Sequence, residues 1–193
     1  MSRRAQATAA NYRGETARRY EAKRVHQEKW AAEHSILSVW LAPFGKGATV
    51  LDIPYGTGRF APIYHAQKCH VIGRDINQDM LDQAMLKCHD SRWDIRTGNV
   101  LAIDLQDASV DVAVCIRLLN MIEPDELARA VGELQRVSRK AVIVSLRVGG
   151  DDGRLTRPAE VSEVVAALAP GWRLDEDRAI HKPRYRMLRL ARG

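Results

Sequence analysis

Apolar positions change their period along this chain. From Glu15 to about Leu41 they recur at helical spacing: Trp30, then Glu33 or His34, then Leu37 and Leu41, with Trp40 beside them. That predicts one long helix or two joined ones, ended by Pro43 and the Gly45-Lys46-Gly47 turn. Beyond it, short β-branched runs alternate with helical stretches. Strands are predicted over 48–52, 70–75, 93–97, 110–115 and 140–146, and helices over 59–67, 78–87 and 124–137. The fifth run, Ala141-Val142-Ile143-Val144, is almost wholly apolar, as a central parallel strand must be. A helix over 158–169, with Val161, Val164, Val165 and Leu168 inward, is followed by two strands, 172–180 and 184–190, around Lys182-Pro183. Met80, Leu81, Ala84 and Met85 form the apolar stripe of the helix after the second strand, for which Asn77 is the better N-cap. Strand-helix alternation of this kind specifies an α/β fold around a mostly parallel sheet.

The stretch that carries chemistry is Ala48-Thr49-Val50-Leu51-Asp52-Ile53-Pro54-Tyr55-Gly56-Thr57-Gly58-Arg59-Phe60. A buried strand ends in a carboxylate, Pro54 stops the ladder, two glycines allow a sharp turn, and a helix begins. Gly56-x-Gly58-x-x-Ala61 satisfies the Ala-ended dinucleotide fingerprint. Asp52 argues for a different ligand, because a carboxylate beside the turn repels a diphosphate and favours a cationic cofactor. Asp75 lies about 20 residues past the turn, where a βαβ unit places an acid on ribose hydroxyls; a helix N-cap is its plainer role.

These residues resemble the motifs of class I S-adenosylmethionine (SAM)-dependent methyltransferases. The first motif there is usually Asp/Glu-x-Gly-x-Gly-x-Gly, and here Pro54 replaces its first glycine. The second resembles Val-x-Gly-x-Asp-x-(Ser/Asn)-x-x-Met-Leu, matched by Val71 through Leu81. The likeness covers about residues 47–192. It implies a Rossmann-like fold with a seven-stranded, mostly parallel sheet, an antiparallel last strand, and helices on both faces. It also implies an N-terminal helical cap, 1–46, over a SAM-binding domain, 47–193, in one compact unit. By the same resemblance, SAM and its product S-adenosylhomocysteine (SAH) would be held by Asp52, Pro54, Tyr55, Gly56, Gly58, Asp75, Ile76, Met80, Asn99, Val100, Ile116 and Arg117. Asn99 stands where the family commonly has an acid that contacts the adenine amine; an amide oxygen accepts such a bond too. Tyr12, Tyr20, Arg117 and Asn120 are candidates for the acceptor pocket, with Arg117 able to fork onto a carboxylate of cofactor or substrate. His26 and His34 on the cap are the candidate bases should a hydroxyl be methylated.

Composition narrows the function further. The chain has 193 residues, one domain's worth, and no run approaches the ~20 apolar residues of a membrane span. Its N-terminus lacks the apolar core of a signal peptide, so a cytoplasmic location is expected. Three scattered cysteines do not form a disulfide framework, and Cys69-His70 with Cys88-His89 match no familiar zinc spacing, so no metal is expected. Cys115 reads as core. The net charge of +6 is concentrated at the two ends of the chain. Such patches fit a polyanion, but acids are interleaved with them, as on an ordinary solvated face. The Asn/Asp-Pro-Pro-aromatic sequence of base-amino methylases is absent after the fourth strand, where Ile116-Arg117-Leu118-Leu119 stands. A methyltransferase acting on a small molecule is therefore the expectation. An RNA or polyanion methyltransferase, a non-catalytic SAM-binding module and a dinucleotide oxidoreductase are the alternatives.

Overall fold

The computed structural model describes residues 10–20, 22, 28–87, 90–149, 158–180 and 182–193. Within them the chain runs α1 (Glu15–Arg18), α2 (Glu28–Leu41), a 3-10 turn (Ala42–Phe44), β1 (Thr49–Asp52), α3 (Ala61–Ala66), β2 (His70–Asp75), α4 (Gln78–Met85) and β3 (Trp93–Thr97). It continues with β4 (Val110–Cys115), α5 (Pro124–Val137), β5 (Ser138–Arg147), α6 (Val161–Ala166), β6 (Trp172–Ile180) and β7 (Lys182–Arg192). The strands form one seven-stranded sheet in the order β3-β2-β1-β4-β5-β7-β6. The first five are parallel, and β7 runs antiparallel to both its neighbours. The expected Rossmann-like architecture is thus present.

Strand parity divides the core. Leu51, Ala113, Val142 and Val144 face one way, against Leu127, Ala130, Val131 and Leu134 of α5. Their chain neighbours Val50, Val112, Val114 and Ile143 face the other, against Leu37, Trp40 and Leu41 of α2, Tyr64 of α3, and Leu81 and Ala84 of α4. Successive Cβ atoms on a strand point to opposite faces, so a continuous apolar run feeds both layers. The order reverses at β1, which pairs with β2 on one side and β4 on the other. Open α/β sheets bind ligands outside the strand ends at such a reversal.

Several expected boundaries shift. Among the described residues the expected N-terminal cap holds helices α1 and α2; residues 21 and 23–27 between them, and with them His26, lie outside the described residues. Helix α6 is shorter than expected, and Val165 is exposed, because six residues present only Val164 fully to the core. Met85 likewise falls outside the buried stripe of α4, since Met80, Leu81 and Ala84 already cover its inner face. The pair Cys88-His89 lies outside the described residues. Cys115 is fully buried, and Asn77 does cap α4 by accepting from the Met80 N–H. Helix α5 starts on a capping box between Glu123 and Glu126.

Gly73 of β2 is where the sheet touches the turn after β1. A methyl placed there would sit 2.6 Å from Ile95 Cδ1 and 2.7 Å from Tyr55 Cδ2. Gly73→Ala is therefore expected to destabilise the fold by about 1–3 kcal/mol through overpacking. Urea denaturation measures this; an unchanged midpoint would show that Tyr55 yields freely.

Candidate functional site

The turn after β1 is built by backbone chemistry. Ile53 N–H still bonds Val114 O at 2.9 Å, and Tyr55 N–H bonds Arg74 O at 2.8 Å, so both flanking strands anchor it. Gly56 and Gly58 have φ of +60° and +73°, the left-handed region that glycine enters without strain. The Gly56 N–H then donates to Asp75 Oδ2 at 2.8 Å, while Asp75 Oδ1 accepts from Asn77 N–H at 2.9 Å. One carboxylate at the end of β2 thus fixes the turn after β1 and the start of α4. Burial raises its pKa to about 6, with the N–H bonds of Asn77, Gly56 and Ile76 holding it down. Three N–H bonds leave the carboxylate one lone-pair direction for a further donor.

In front of this turn opens a cavity of about 800 Å³, part of it continuous with solvent. Of the residues singled out from sequence, Tyr12, Tyr20, Pro54, Tyr55, Gly56, Asp75, Ile76, Met80, Ile116 and Arg117 line it. Sequence reasoning missed Thr57, Arg59, Phe60, Asn77, Leu118 and Met121. Four expected residues are not among its lining: Asp52, Gly58, Asn99 and Val100. Gly58 shapes the turn through its backbone, donating to Tyr55 O at 3.1 Å. Asn99 folds back on its own chain, its Oδ1 accepting from Leu101 N–H at 3.0 Å, and Val100 packs into the core.

Asp52 corrects the strongest expectation. It shares strand parity with Val50, so it points beneath α3 rather than into the cavity. There its Oδ2 accepts from Tyr64 Oη at 2.9 Å, and the side chain is 1 % exposed. Burial pushes its pKa up to about 7; the Tyr64 hydroxyl and Arg59 oppose this, and Asp75 adds to it. The carboxylate on the cavity wall is Asp75.

The cap meets the site through Glu33, on the buried stripe of α2. Arg117, with φ of +64° just past β4, forks onto Glu33 with Nε at 3.0 Å and Nη2 at 2.7 Å. Its own N–H donates to Ser145 Oγ at 2.8 Å. Arg59, from the glycine turn, donates through Nη2 to the same Glu33 oxygen and lies 4.2 Å above the Trp30 ring. The fork expected for a ligand is thus made within the protein. Arg59 Nε is buried without a hydrogen-bond partner. Burial and Arg117 push the Arg59 pKa down; at Arg117, burial is outweighed by Glu33 and its pKa rises. Glu33 was visible in sequence only as an acid on an apolar stripe, which is itself the mark of a buried ion pair.

A second recess adjoins the first through Tyr12, Tyr20, Arg117 and Met121. Lys29, Glu33, Asn120, Ser145, Leu146, Arg147, Ile180 and Tyr185 complete it. Asn120 lies here, zipped to β5: its Nδ2 donates to Arg147 O at 2.9 Å and its Oδ1 accepts Arg147 N–H at 2.7 Å. Tyr12 is held over the cavity by Asn77 Nδ2, 3.0 Å from its carbonyl, and Gly14 N–H donates to Asp79 Oδ2 at 2.7 Å. His34 packs between the Trp30 and Phe60 rings and lines neither cavity. Among the described residues no cluster of three or more His, Cys, Asp or Glu could hold a metal.

Two outcomes follow from these buried charges. Asp52 binds its proton more tightly folded than unfolded, so it subtracts stability as pH rises from about 4 to about 7. Asp52→Asn is expected to gain stability on the wild type between pH 5 and pH 8, by at most about 3 kcal/mol, read as a widening melting-temperature difference. A gap that does not move with pH would contradict this. Glu33→Gln leaves two guanidinium groups facing one neutral amide, and is expected to cost about 3 kcal/mol in urea denaturation.

Residues 50–141 match the family model described as a methyltransferase domain. Among curated proteins, the chain is 33% identical over 89 residues to an uncharacterised methyltransferase-like protein of Schizosaccharomyces pombe, covering 46% of this chain and 33% of that one. It is 30% identical over 111 residues to malonyl-[acyl-carrier protein] O-methyltransferase of Pectobacterium atrosepticum, covering 58% of this chain and 42% of the relative. The chain therefore spans less than half the length of the curated relatives it matches. Among solved structures, magnesium protoporphyrin IX methyltransferase from Synechocystis PCC 6803 with bound SAH superposes with a TM-score of 0.82 at 15% identity, over 97% of this chain and 99% of that one. Sheet order, turn and matched segment agree: residues 50–141, just under half of the chain, are similar to a methyltransferase domain, and the chain has the fold of the solved SAM-dependent methyltransferase.

Proposed function

We propose that this chain binds SAM in the first cavity and transfers its methyl group to a small molecule held in the adjoining recess. The observation that carries the reading is the cavity's position and lining. It opens in front of the turn after β1, and its lining combines an acid, Asp75, apolar walls and two cations, Arg59 and Arg117. The residues fit the cofactor. Asp75 has acceptor capacity left for one hydroxyl of a ribose diol. Ile76, exposed at 36 %, and Met80 offer apolar surface for adenine. Gly56 lets a ligand approach bare backbone, and Arg59 and Arg117 suit the amino-acid carboxylate.

Bound SAM supplies a methyl group made electrophilic by its sulfonium. The protein's own part is to hold the acceptor in line and keep water out, and placement of that kind is worth roughly 7–11 kcal/mol. Tyr12 and Tyr20, edge-on at 5.4 Å between ring centres, stand over both cavities and serve as the water-excluding cover of the 1–46 cap. No histidine is among the described lining residues, and Glu33 is already committed to two arginines. That favours an acceptor atom needing no strong base, such as a carboxylate or an amine. The basic C-terminal strands do not favour a polyanion, because Arg178 is paired with Glu176 along β6, and Arg186 and Arg189 with Asp177 and Asp175 across the β6–β7 hairpin. No helix among the described residues is long and apolar enough to cross a membrane. The free thiols Cys69 and Cys115 suit a reducing compartment, the cytoplasm in this proposal.

Thermal-shift titrations with SAM, SAH and NAD test the cofactor. Stabilisation by SAM and SAH but not NAD is expected, and Asp75→Asn is expected to weaken SAH by about tenfold. Stabilisation by NAD alone would replace the reading with the oxidoreductase one. Label transfer from methyl-labelled SAM to a metabolite extract separates an enzyme from a silent binding module.

A further inference from the structure

The buried cluster that joins cap to cofactor cavity pairs two guanidinium groups, Arg59 and Arg117, with one carboxylate, Glu33. Among the described residues Glu33 is the one acid in an ion pair with either arginine. Asp52 reaches Arg59 only through its field, because its own hydrogen bond goes to Tyr64. Burial, with Arg117 adding to it, pushes the Arg59 pKa down despite Glu33. Glu33 takes one N–H from Arg59 and two from Arg117, out of the five that each guanidinium carries. The Arg59 Nε–H is buried without a partner, on a side chain 8 % exposed, and Arg59 lines the cofactor cavity. A charged donor left unmade in this way is costly until an acceptor arrives.

The same two arginines hold the cap. The Trp30 ring centre lies 4.2 Å from the Arg59 guanidinium carbon and 5.6 Å from that of Arg117. Arg117 also shares a side-chain hydrogen bond with Tyr20, which in turn meets Tyr12 edge-on. Leu37, Trp40 and Leu41 root the far half of α2 in the core, so what the cations secure is its first half and the tyrosines before it. A buried ion cluster often stabilises a fold no better than well-packed apolar side chains, so stability alone does not account for Glu33.

We infer, on the reading that SAM occupies the first cavity, that the carboxylate of its amino-acid arm completes this cluster, and that Glu33 is the positioning residue through which a filled cofactor cavity secures the cap over the acceptor recess. Two carboxylates then balance two guanidinium groups, and donors remain for both. The docked cap is the arrangement that presents this cluster whole, so a ligand carboxylate favours it by linkage. The acceptor recess borrows Tyr12, Tyr20 and Arg117 from the first cavity, and so takes its closed shape once the cofactor is seated.

The test compares SAM with decarboxylated SAM, which keeps the adenosine, sulfonium and ammonium and lacks only the carboxylate, on the full chain. Calorimetry is expected to show SAM binding about tenfold or more tightly. Hydrogen-deuterium exchange in peptides from Tyr12 to Glu33 is expected to slow by about tenfold with SAM and to stay near the free rate with the decarboxylated compound. Glu33→Gln is expected to bind SAM without that slowing. Arg59→Lys keeps the charge but loses the planar fork, and is expected to bring the two affinities within about threefold of each other. Should Glu33→Gln not fold, the wild-type comparison and Arg59→Lys still decide. Equal affinity for the two compounds, equal slowing by both, or slowing that survives Glu33→Gln overturns the coupling and leaves SAM as the cofactor. Failure of both compounds and of SAH to bind overturns the methyltransferase reading beneath it.

Discussion

Glu33 is the point where three elements distant in sequence become one site. It lies on the cap helix α2, and it bonds Arg59 from the glycine turn and Arg117 from the end of β4. Trp30 and Phe60 stack on the Arg59 guanidinium and remove water from the cluster. A carboxylate so deeply buried is tolerable only with charged partners held in good geometry. The cap therefore cannot slide along the sheet without breaking that cluster. Both cavities are defined by the relation it fixes, since Tyr12 and Tyr20 on the cap line each of them.

The sheet was readable because its instructions are local. β-branched runs of strand length, glycines where φ is positive, and Asn or Glu at helix starts are choices made residue by residue. They agree with one another along 48–147, and that stretch folds as its pattern predicts. Boundaries failed where local signals conflict with packing. Val165 continues an apolar stripe in sequence, yet α6 ends before a second turn could turn it inward. The site was less legible for a related reason. Backbone-defined members of the turn, and the acid after β2, follow from motif spacing. The partners of charged side chains do not, because Glu33 and Arg117 are brought together over 84 positions by the packing of α2 on the sheet. Asn99 shows the opposite limit: spacing placed it at a strand end, but its amide is taken by its own backbone.

Asp52 exposes a simpler oversight. On a strand, one residue decides which face a side chain meets, and Asp52 lies in phase with Val50. An acid at the end of β1 is near the turn in sequence but beneath it in space. Its buried, half-neutral carboxyl braces α3 through Tyr64, so its charge reaches a ligand only through protein.

The preference for a cationic over a diphosphate cofactor therefore needs another source, and Asp75 supplies it. A diphosphate binds such a turn by accepting backbone N–H groups near the helix start. Here the Gly56 N–H is already given to a carboxylate, and that carboxylate lies on the cavity wall. A phosphate would lose a donor and gain a like charge a few ångströms away, both unfavourable in a partly desolvated space. A ligand offering hydroxyls and a cationic sulfur meets neither obstacle. Asp75 can accept from one hydroxyl of a diol without giving up Gly56, so the bond that shapes the turn also discriminates among what the turn can hold.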